Sequence, residues 1–434
     1  VATLLMIESW LRSTGICLPP IIRDMGHEYV LLTRDPSIYA PLDGDRPHPV
    51  VENAAEIVVA DTNDLDAVRH AARTVDQRLR VDGALTTCDY YLEAAAAAAN
   101  DLGLPGAPAE VMRTATQKHR VRAALAAAGL PNPAFAAVDS WQDARGAAAR
   151  LGLPLIGKPV DLNAGTAVEL IESEGALKDA FWHVAGIERN TRGQPLQRLL
   201  LLEEPLKGQE VSVEAVTYEG TTSVIGITDK SVTAAPARVE SGHMFPARLD
   251  PSRAREIEAL VADALAAIGY TYGLSHTEVA LTADGPRIIE INPRQGGGYI
   301  FDLVHLVAGV HPLDMLVDLA LGRMPDLAAA ASAADGTAGS AAVFFVMSPR
   351  DGVVEYVAGS DRLQTDPRVW RWSMLRSGPV RRPQDNDAYL GHVLTVDPDG
   401  RRARAYAEQA VRGLELHFDD GATASPLGIP SGLA

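Results

Sequence analysis

Cysteine is nearly absent from this chain. Cys17 and Cys88 are the only two in 434 residues, so at most one disulfide can form and no metal-type cysteine spacing exists. A reducing, cytoplasmic setting is therefore expected. Basic residues are outnumbered, 39 Lys and Arg against 56 Asp and Glu for a net charge of −17. No local basic patch offsets this excess, so nucleic acid is not an expected partner. No apolar run approaches the roughly 18 residues of a membrane helix, which excludes a membrane-spanning reading. The apolar run Thr3 to Ile7 meets Glu8 at once, with no basic flank or small-residue cleavage pattern, so it reads as a strand and not as a leader. Also missing is a G-x-G-x-x-G after that strand, which ends in Glu8-Ser9-Trp10 with Ser13-Thr14-Gly15 beyond. A dinucleotide site is not expected.

What is present is enough apolar material, 47% of residues, to bury large cores over about three domains. The runs Leu4 to Ile7, Tyr29 to Leu32, Ile57 to Val59 and Ala84-Leu85 alternate with helical stretches, the βαβ rhythm of a parallel sheet. An alanine-rich helix from Glu93 to Asn100 is broken by Gly103 to Pro108, which sets a first domain at 1–108. A helix from about Ala115 to Ala128 then ends at Gly129 before Pro131 and Pro133. A small α/β unit follows, so that 109–204 forms a linker helix and a small second domain. Beyond Glu204 the texture turns to hairpins, Glu210 to Val216 against Ser223 to Thr228 and His276 to Leu281 against Arg287 to Ile291. This predicts a large antiparallel domain over 205–434. The segment Ala328 to Ala342 reads as a loose connection to a β-rich lobe over about 336–434, where Ala341 to Val346 turns through Asp351-Gly352 to the strand Val353 to Val357.

The strongest local signal is His276-Thr277-Glu278-Val279-Ala280-Leu281, a turn at Asp284-Gly285, and Ile288-Ile289-Glu290-Ile291-Asn292-Pro293-Arg294. A loop of odd length centred on residue 284 puts Glu278 directly across from Glu290, with Asn292 and Arg294 on the same face. The opposite face then pairs Val279 with Ile289 and Leu281 with Arg287, and reads as core. Two carboxylates and an amide oxygen on a rigid sheet suit Mg²⁺, with Mn²⁺ an alternative. Arg294 adds a cationic fork for phosphate. The same pattern also describes a half-buried hairpin whose polar face is solvated.

Lys158 lies in an otherwise apolar strand, and the loop Asp161 to Thr166 after it has backbone N–H groups, at Gly165 and Thr166, that suit a phosphate cradle. The strand Leu199 to Leu202 ends in Glu203-Glu204-Pro205-Leu206, with Glu210 four residues on. Backbone groups around Glu204 and Leu206 can pair with an adenine base, and Glu210 can accept from ribose hydroxyls. Charged strand ends are common, so context decides between this reading and a solvated one.

In this order, the motifs resemble the ATP-grasp superfamily. The resemblance implies that Lys118 and Lys158 are its two nucleotide lysines, that Glu203 through Leu206 is the adenine hinge, and that Glu210 is the ribose acid. Glu278, Glu290 and Asn292 match its metal ligands and Arg294 its catalytic arginine. It further implies an α/β (α+β) fold with a Rossmann-like N-terminal domain, a small α/β lid and a large antiparallel catalytic domain. Ile7-Glu8-Ser9-Trp10, Thr228-Asp229-Lys230, Gly242-His243-Met244-Phe245-Pro246 and Asn292-Pro293-Arg294-Gln295-Gly296-Gly297-Gly298 are similar to the L-amino acid ligases of the biotin-carboxylase-like branch. The resemblance runs to about residue 325 and fades in the tail. Gln117 stands where members usually carry Asp, and the phosphate loop has one glycine where biotin carboxylases have a run.

The activity this implies is ATP-dependent joining of a small-molecule carboxylate, an amino acid, to an amine through an acyl phosphate. The branch also implies a homodimer. Glu240, His243, Arg294, Gly297 and Gly298 are the expected amino-acid pocket, with His243 orienting the substrate or taking the amine proton. Gly298 replaces a bulky side chain of some dipeptide ligases, so an enlarged acceptor pocket is expected. His276 is expected beside the ligands and not among them. The alternatives are a biotin-carboxylase-like or purine-type ligase of the same superfamily, and a nucleotide-binding regulator without turnover.

Overall fold

Short apolar strands separated by amphipathic helices bury both faces by forming a parallel sheet between helical layers. The computed structural model describes residues 1–41, 46–233, 239–327, 338–375, 377–386 and 388–427. In it, β1 (Thr3–Ile7), β2 (Glu28–Thr33), β3 (Glu56–Val59) and β4 (Gly83–Leu85) form a sheet of order β3-β2-β1-β4 with every pair parallel. Alternation along the strands divides the core. Leu5, Ile7, Val30 and Leu32 pack under the helices Leu65–Leu79 and Leu92–Leu102. Leu4, Met6, Tyr29 and Leu31 pack under Thr14–Asp24 and Pro312–Ala320. The alanine run allows this closeness, since Ala94 to Ala99 are all buried, and its helix stops at Gly103 in the left-handed conformation, φ 67°.

The helix expected from about Ala115 to Ala128 is Lys118–Ala127, and a separate helix, Ala109–Ala115, precedes it. Gln117 is extended (φ −114°, ψ 103°) and caps Lys118–Ala127, which puts Lys118 in its first turn. The lid follows as β5 (Phe135–Val138), β6 (Leu155–Pro159), β7 (Glu169–Ile171) and β8 (Leu200–Glu203), an antiparallel sheet of order β5-β8-β6-β7. Trp141–Leu151 and Glu174–Gly186 cover it through Ala144, Leu177 and Phe181.

The remaining strands are β9 (Gln209–Tyr218), β10 (Thr221–Val232), β11 (Glu240–Phe245), β12 (Gly273–Thr282), β13 (Gly285–Asn292), β14 (Ser340–Met347), β15 (Gly352–Ala358), β16 (Val369–Met374), β17 (Gly378–Val380), β18 (Tyr389–Asp397), β19 (Glu415–Phe418) and β20 (Thr423–Ala424). Eight of them make one sheet, β13-β12-β9-β10-β11-β14-β18-β16. Three strands of the final hundred residues therefore extend the large sheet. The expected passage from the first of them into the next strand crosses between sheets, because β15 belongs to a smaller sheet of order β17-β15-β19-β20. Most of the Ala- and Ser-rich connection, residues 328–337, lies outside the described residues.

Val211, Val213, Val279, Ile288 and Ile291 put one face of the large sheet against the helix Pro251–Ala267 and the two linker helices. The opposite face carries Ser212, Glu214, Lys230 and His276, all buried. Among the described residues no single helix is long and apolar enough to cross a membrane; a pair bent by 97°, Ile300–Ala308 and Pro312–Ala320, passes only jointly, and its apolar side chains Phe301, Leu303, Leu313 and Val317 lie in the core.

Candidate active site

Glu278 on β12 pairs directly with Glu290 on β13, and His276 with Asn292. The route to that pairing differs from the expected one. The turn is the two-residue Ala283-Asp284, with Thr282 opposite Gly285, so the lower part of the ladder pairs Val279 with Ile288 and Leu281 with Pro286. A bulge then inserts one extra residue, Ile289, and restores Glu278 to Glu290. The core row is accordingly Val279, Ile288 and Ile291, and Ile289 is not part of it. The bulge leaves the carbonyls of Ile288 and Ile289 accepting from Arg122, at 2.9 and 2.6 Å.

Each carboxylate of the pair has a lysine. Lys118 Nζ is 2.9 Å from Glu290, and Lys230 Nζ is 2.8 Å from Glu278 and 2.8 Å from Glu240. Burial by itself would raise the Glu278 carboxyl, but Lys230 and His276 overcome it and hold the group down at about 2. Glu278 is thus favoured as the carboxylate. His276 Nδ1 lies 2.9 and 3.1 Å from the two oxygens of Glu214, while its Nε2 is 3.6 Å from Glu278. Burial opposes its protonation, yet the buried Glu214 carboxylate outweighs that and pushes His276 up to about 9. A protonated imidazole has no lone pair to give a metal. Among the described residues no three His, Cys, Asp or Glu converge on a metal position; the oxygens this hairpin presents are the Glu278 and Glu290 carboxylates and the Asn292 amide, hard atoms of the kind Mg²⁺ takes.

In the lid, Lys158 is buried with Nζ 2.7 Å from Glu203. Glu203 also receives Arg122 Nε at 2.5 Å. Burial would raise Glu203, but the two cations bring it down to about 2. Its side chain thus anchors Lys158 and ties the lid to the linker helix. The Glu204 N–H donates to Ala134 O at 2.9 Å, so of the two hinge amides it is already engaged; Leu206 is half-buried beside it. Glu210 is the second residue of β9, paired with Lys230 on one side and Ala280 on the other. Gly165 and Thr166 sit on an exposed turn with Gly165 at φ 71°, held at its root by Asn163. A cleft of about 460 Å³ runs between the first domain, linker, lid and β13 of the large sheet, lined by Lys118, Asn163, Asp89, Glu290 and Asn292. The adenine-hinge positions do not line it.

On the expected substrate side, His243 is 1% exposed, its Nε2 3.4 Å from Glu240 and its Nδ1 without a partner among the described residues. The enlarged pocket at Gly298 is not there. A Cβ on Gly298 would stand 2.8 Å from His243 Nε2 and 3.4 Å from Phe345, so those rings already occupy the space, and φ 55° suits glycine. The open position is Gly297, where a Cβ would meet nothing within 4 Å. Arg294 donates Nε to Asp89 of the first domain and Nη1 to Gln295 O. Sequence reasoning gave no role to Lys230, Arg122, Asp89 or Glu214. Nothing in their own segments sets them apart, and only their long-range partners reveal them.

Three family models match the chain: ATP-grasp N-terminal domain over residues 23–106, ATP-grasp domain over 151–302, and L-amino acid ligase C-terminal domain 2 over 344–419. The last extends the likeness into the tail, where the sequence motifs fade. An uncharacterised protein of Sinorhizobium fredii is 26% identical over 414 residues, 95% of this chain and 82% of its own. Carnosine synthase 1 of Gallus gallus is 31% identical over 275 residues, 59% of this chain. The chain spans only 30% of that synthase's length. A crystal structure of an L-amino acid ligase from Bacillus licheniformis matches with TM-score 0.79 at 20% identity, over 96% of this chain and 99% of that one, a likeness of fold. By these matches the chain carries an ATP-grasp domain set between an ATP-grasp N-terminal domain and an L-amino acid ligase C-terminal domain 2.

Proposed function

We propose that the chain is an ATP-dependent carboxylate–amine ligase that activates an amino acid as its acyl phosphate and joins it to an amine, releasing ADP and phosphate. The observation that carries this is the direct pairing of Glu278 with Glu290, two residues before Asn292 at the end of the strand, with Arg294 just beyond it. Those first three residues would hold Mg²⁺ or Mn²⁺, which supplies neutralisation of phosphate charge and orientation of the phosphoryl group when bound.

The chain's own residues do the rest. Lys118, at the start of its helix, and Lys158 meet the nucleotide phosphates, and the Gly165-Thr166 turn covers them. Glu203, Glu204, Leu206 and Glu210 form the adenosine side. The substrate carboxylate attacks the γ-phosphorus as the bond to the β-phosphate oxygen breaks. The amine nitrogen then attacks the acyl carbon, the bond to phosphate breaks, and the amine proton passes to His243 or to the departing phosphate. Arg294 faces the charge that accumulates in both steps. Holding the reactants in one water-poor cleft supplies roughly 7–11 kcal/mol of the barrier reduction. Glu240, His243 and the Gly297-Gly298 turn bound the amino-acid side, with room at Gly297.

The test is phosphate and ADP release over a pairwise matrix of amino acids, with mass spectrometry of the products. A new mass equal to two substrates less one water supports the ligase. Release that requires bicarbonate and not an amino acid indicates a carboxylase, and no release with any pair indicates a regulator. Glu290→Ala should abolish ADP formation while the protein stays folded.

A further inference from the structure

One carboxylate of the first domain touches both of the other domains. Asp89, in the turn after β4, takes Arg294 Nε on its Oδ1 and Asn163 Nδ2 on its Oδ2, the latter at 2.9 Å. Its neighbour Tyr90 donates its hydroxyl to Asn163 Oδ1 at 2.7 Å. The Asn163 amide is therefore gripped at both ends by consecutive residues. Asn163 is the root of the turn in which Ala164, Gly165 and Ala167 have φ of 56°, 71° and 55°, and it, Asp89 and Tyr90 line the 460 Å³ cleft. The contact belongs to a wider seam between the same domains. Gln194 donates to Tyr90 O at 3.0 Å, Asn63 to Arg192 O at 3.0 Å, and Arg192 to Ser9 O at 2.7 Å.

We infer that Asp89 is a positioning residue for phosphoryl transfer, coupling the root of the phosphate turn to the orientation of Arg294. This rests on the ligase reading above. An arginine side chain has many rotamers, and a carboxylate on its Nε edge, with the Gln295 carbonyl on Nη1, selects one of them. The same carboxylate fixes where the lid turn begins. Movement of the lid on nucleotide binding is thereby felt at Arg294 through a single oxygen pair, and neither group reaches its working place independently.

The arrangement gives a charge-swap test. Asp89→Asn should lower kcat about 10- to 100-fold, the scale expected when a reacting group is misplaced by an ångström, with the amino-acid KM unchanged. Amide exchange in the 161–168 peptide should accelerate. Asn163→Asp sets two carboxylates face to face, so it should raise the ATP KM and loosen the same peptide. The double variant Asp89→Asn with Asn163→Asp should recover peptide protection and ATP KM but not kcat, because Arg294 still lacks its anion. Asp89→Glu should retain part of kcat. Wild-type kcat in Asp89→Asn, or a double variant whose turn is as exposed as in either single variant, overturns the inference; so does a rise confined to the amino-acid KM, which would make Asp89 a substrate contact. If the Asp89 variants fail to fold by circular dichroism, Asn163→Ala and Asn163→Asp decide the coupling through kcat. If the wild type turns over no amino-acid pair, the ligase reading fails by itself, and exchange of the 161–168 peptide with nucleotide affinity still decides the clasp.

Discussion

Lys230 Nζ sits 2.8 Å from Glu278, a carboxylate of the hairpin that defines the site, and the lysine side chain is 2% exposed. Its other contact, Glu240 at the same distance, lies on the expected substrate side. Burial would strip the ammonium of its proton, but the two carboxylates hold it well above the ordinary lysine range, and Lys230 in return holds Glu240 far below the usual carboxylate range. One cation thus bridges Glu278 on β12 and Glu240 on β11.

Lys230→Met removes the buried cation and leaves two part-buried anions facing each other. A loss of about 3–5 kcal/mol in folding stability is expected, as when a buried pair is broken on one side, together with loss of ADP formation. Lys230→Arg keeps the charge and should recover stability more than activity, because the guanidinium does not fit between oxygens placed for an ammonium. Urea unfolding and ADP release measured on the same preparations check both halves.

Gly298→Ala tests the close approach of the substrate loop to His243. The new Cβ would lie 2.8 Å from His243 Nε2, and a non-glycine residue at φ 55° costs roughly 1–2 kcal/mol by itself. Thermal unfolding should show a drop of that size, and the amino-acid KM should rise as His243 is displaced. Gly297→Ala, with open space around its Cβ, should leave stability near wild type and change only which amino acids are accepted. If the two variants behave alike, Gly297 does not border the pocket.

The contrast between these glycines shows where sequence reasoning ends. The pairing of Glu278 with Glu290 is legible because hairpin register follows local alternation, and the parallel sheet of the first domain is legible from strand and helix spacing. The Ile289 bulge is not, since a bulge and a three-residue turn give the same carboxylate pairing from different ladders. Space around Gly298 is set by Phe345 on β14 and His243 on β11, neighbours far away in the chain. Arg122 reads as one of several charges on a linker helix, yet it is 2% exposed and binds Glu203 and two β13 carbonyls.

Glu203 carries a prediction about pH. Its carboxyl is held at about 2, below the ordinary 4.5, because Lys158 and Arg122 more than offset the cost of burial. The folded state therefore binds this proton less readily than the unfolded chain. The stabilisation is complete above about pH 4.5, where the unfolded carboxyl is also ionised, and is lost as pH falls through about 2. Glu203→Gln cannot make this contribution and leaves Lys158 and Arg122 buried without their anion, an expected loss of about 3–5 kcal/mol at neutral pH. The gap between wild type and variant should stay constant from pH 7 to 5 and narrow steadily below pH 4.5. Urea midpoints at each pH, compared at equal m-value, measure that gap. A gap that is constant down to pH 3 would mean that Glu203 is not the ionised partner of the two cations.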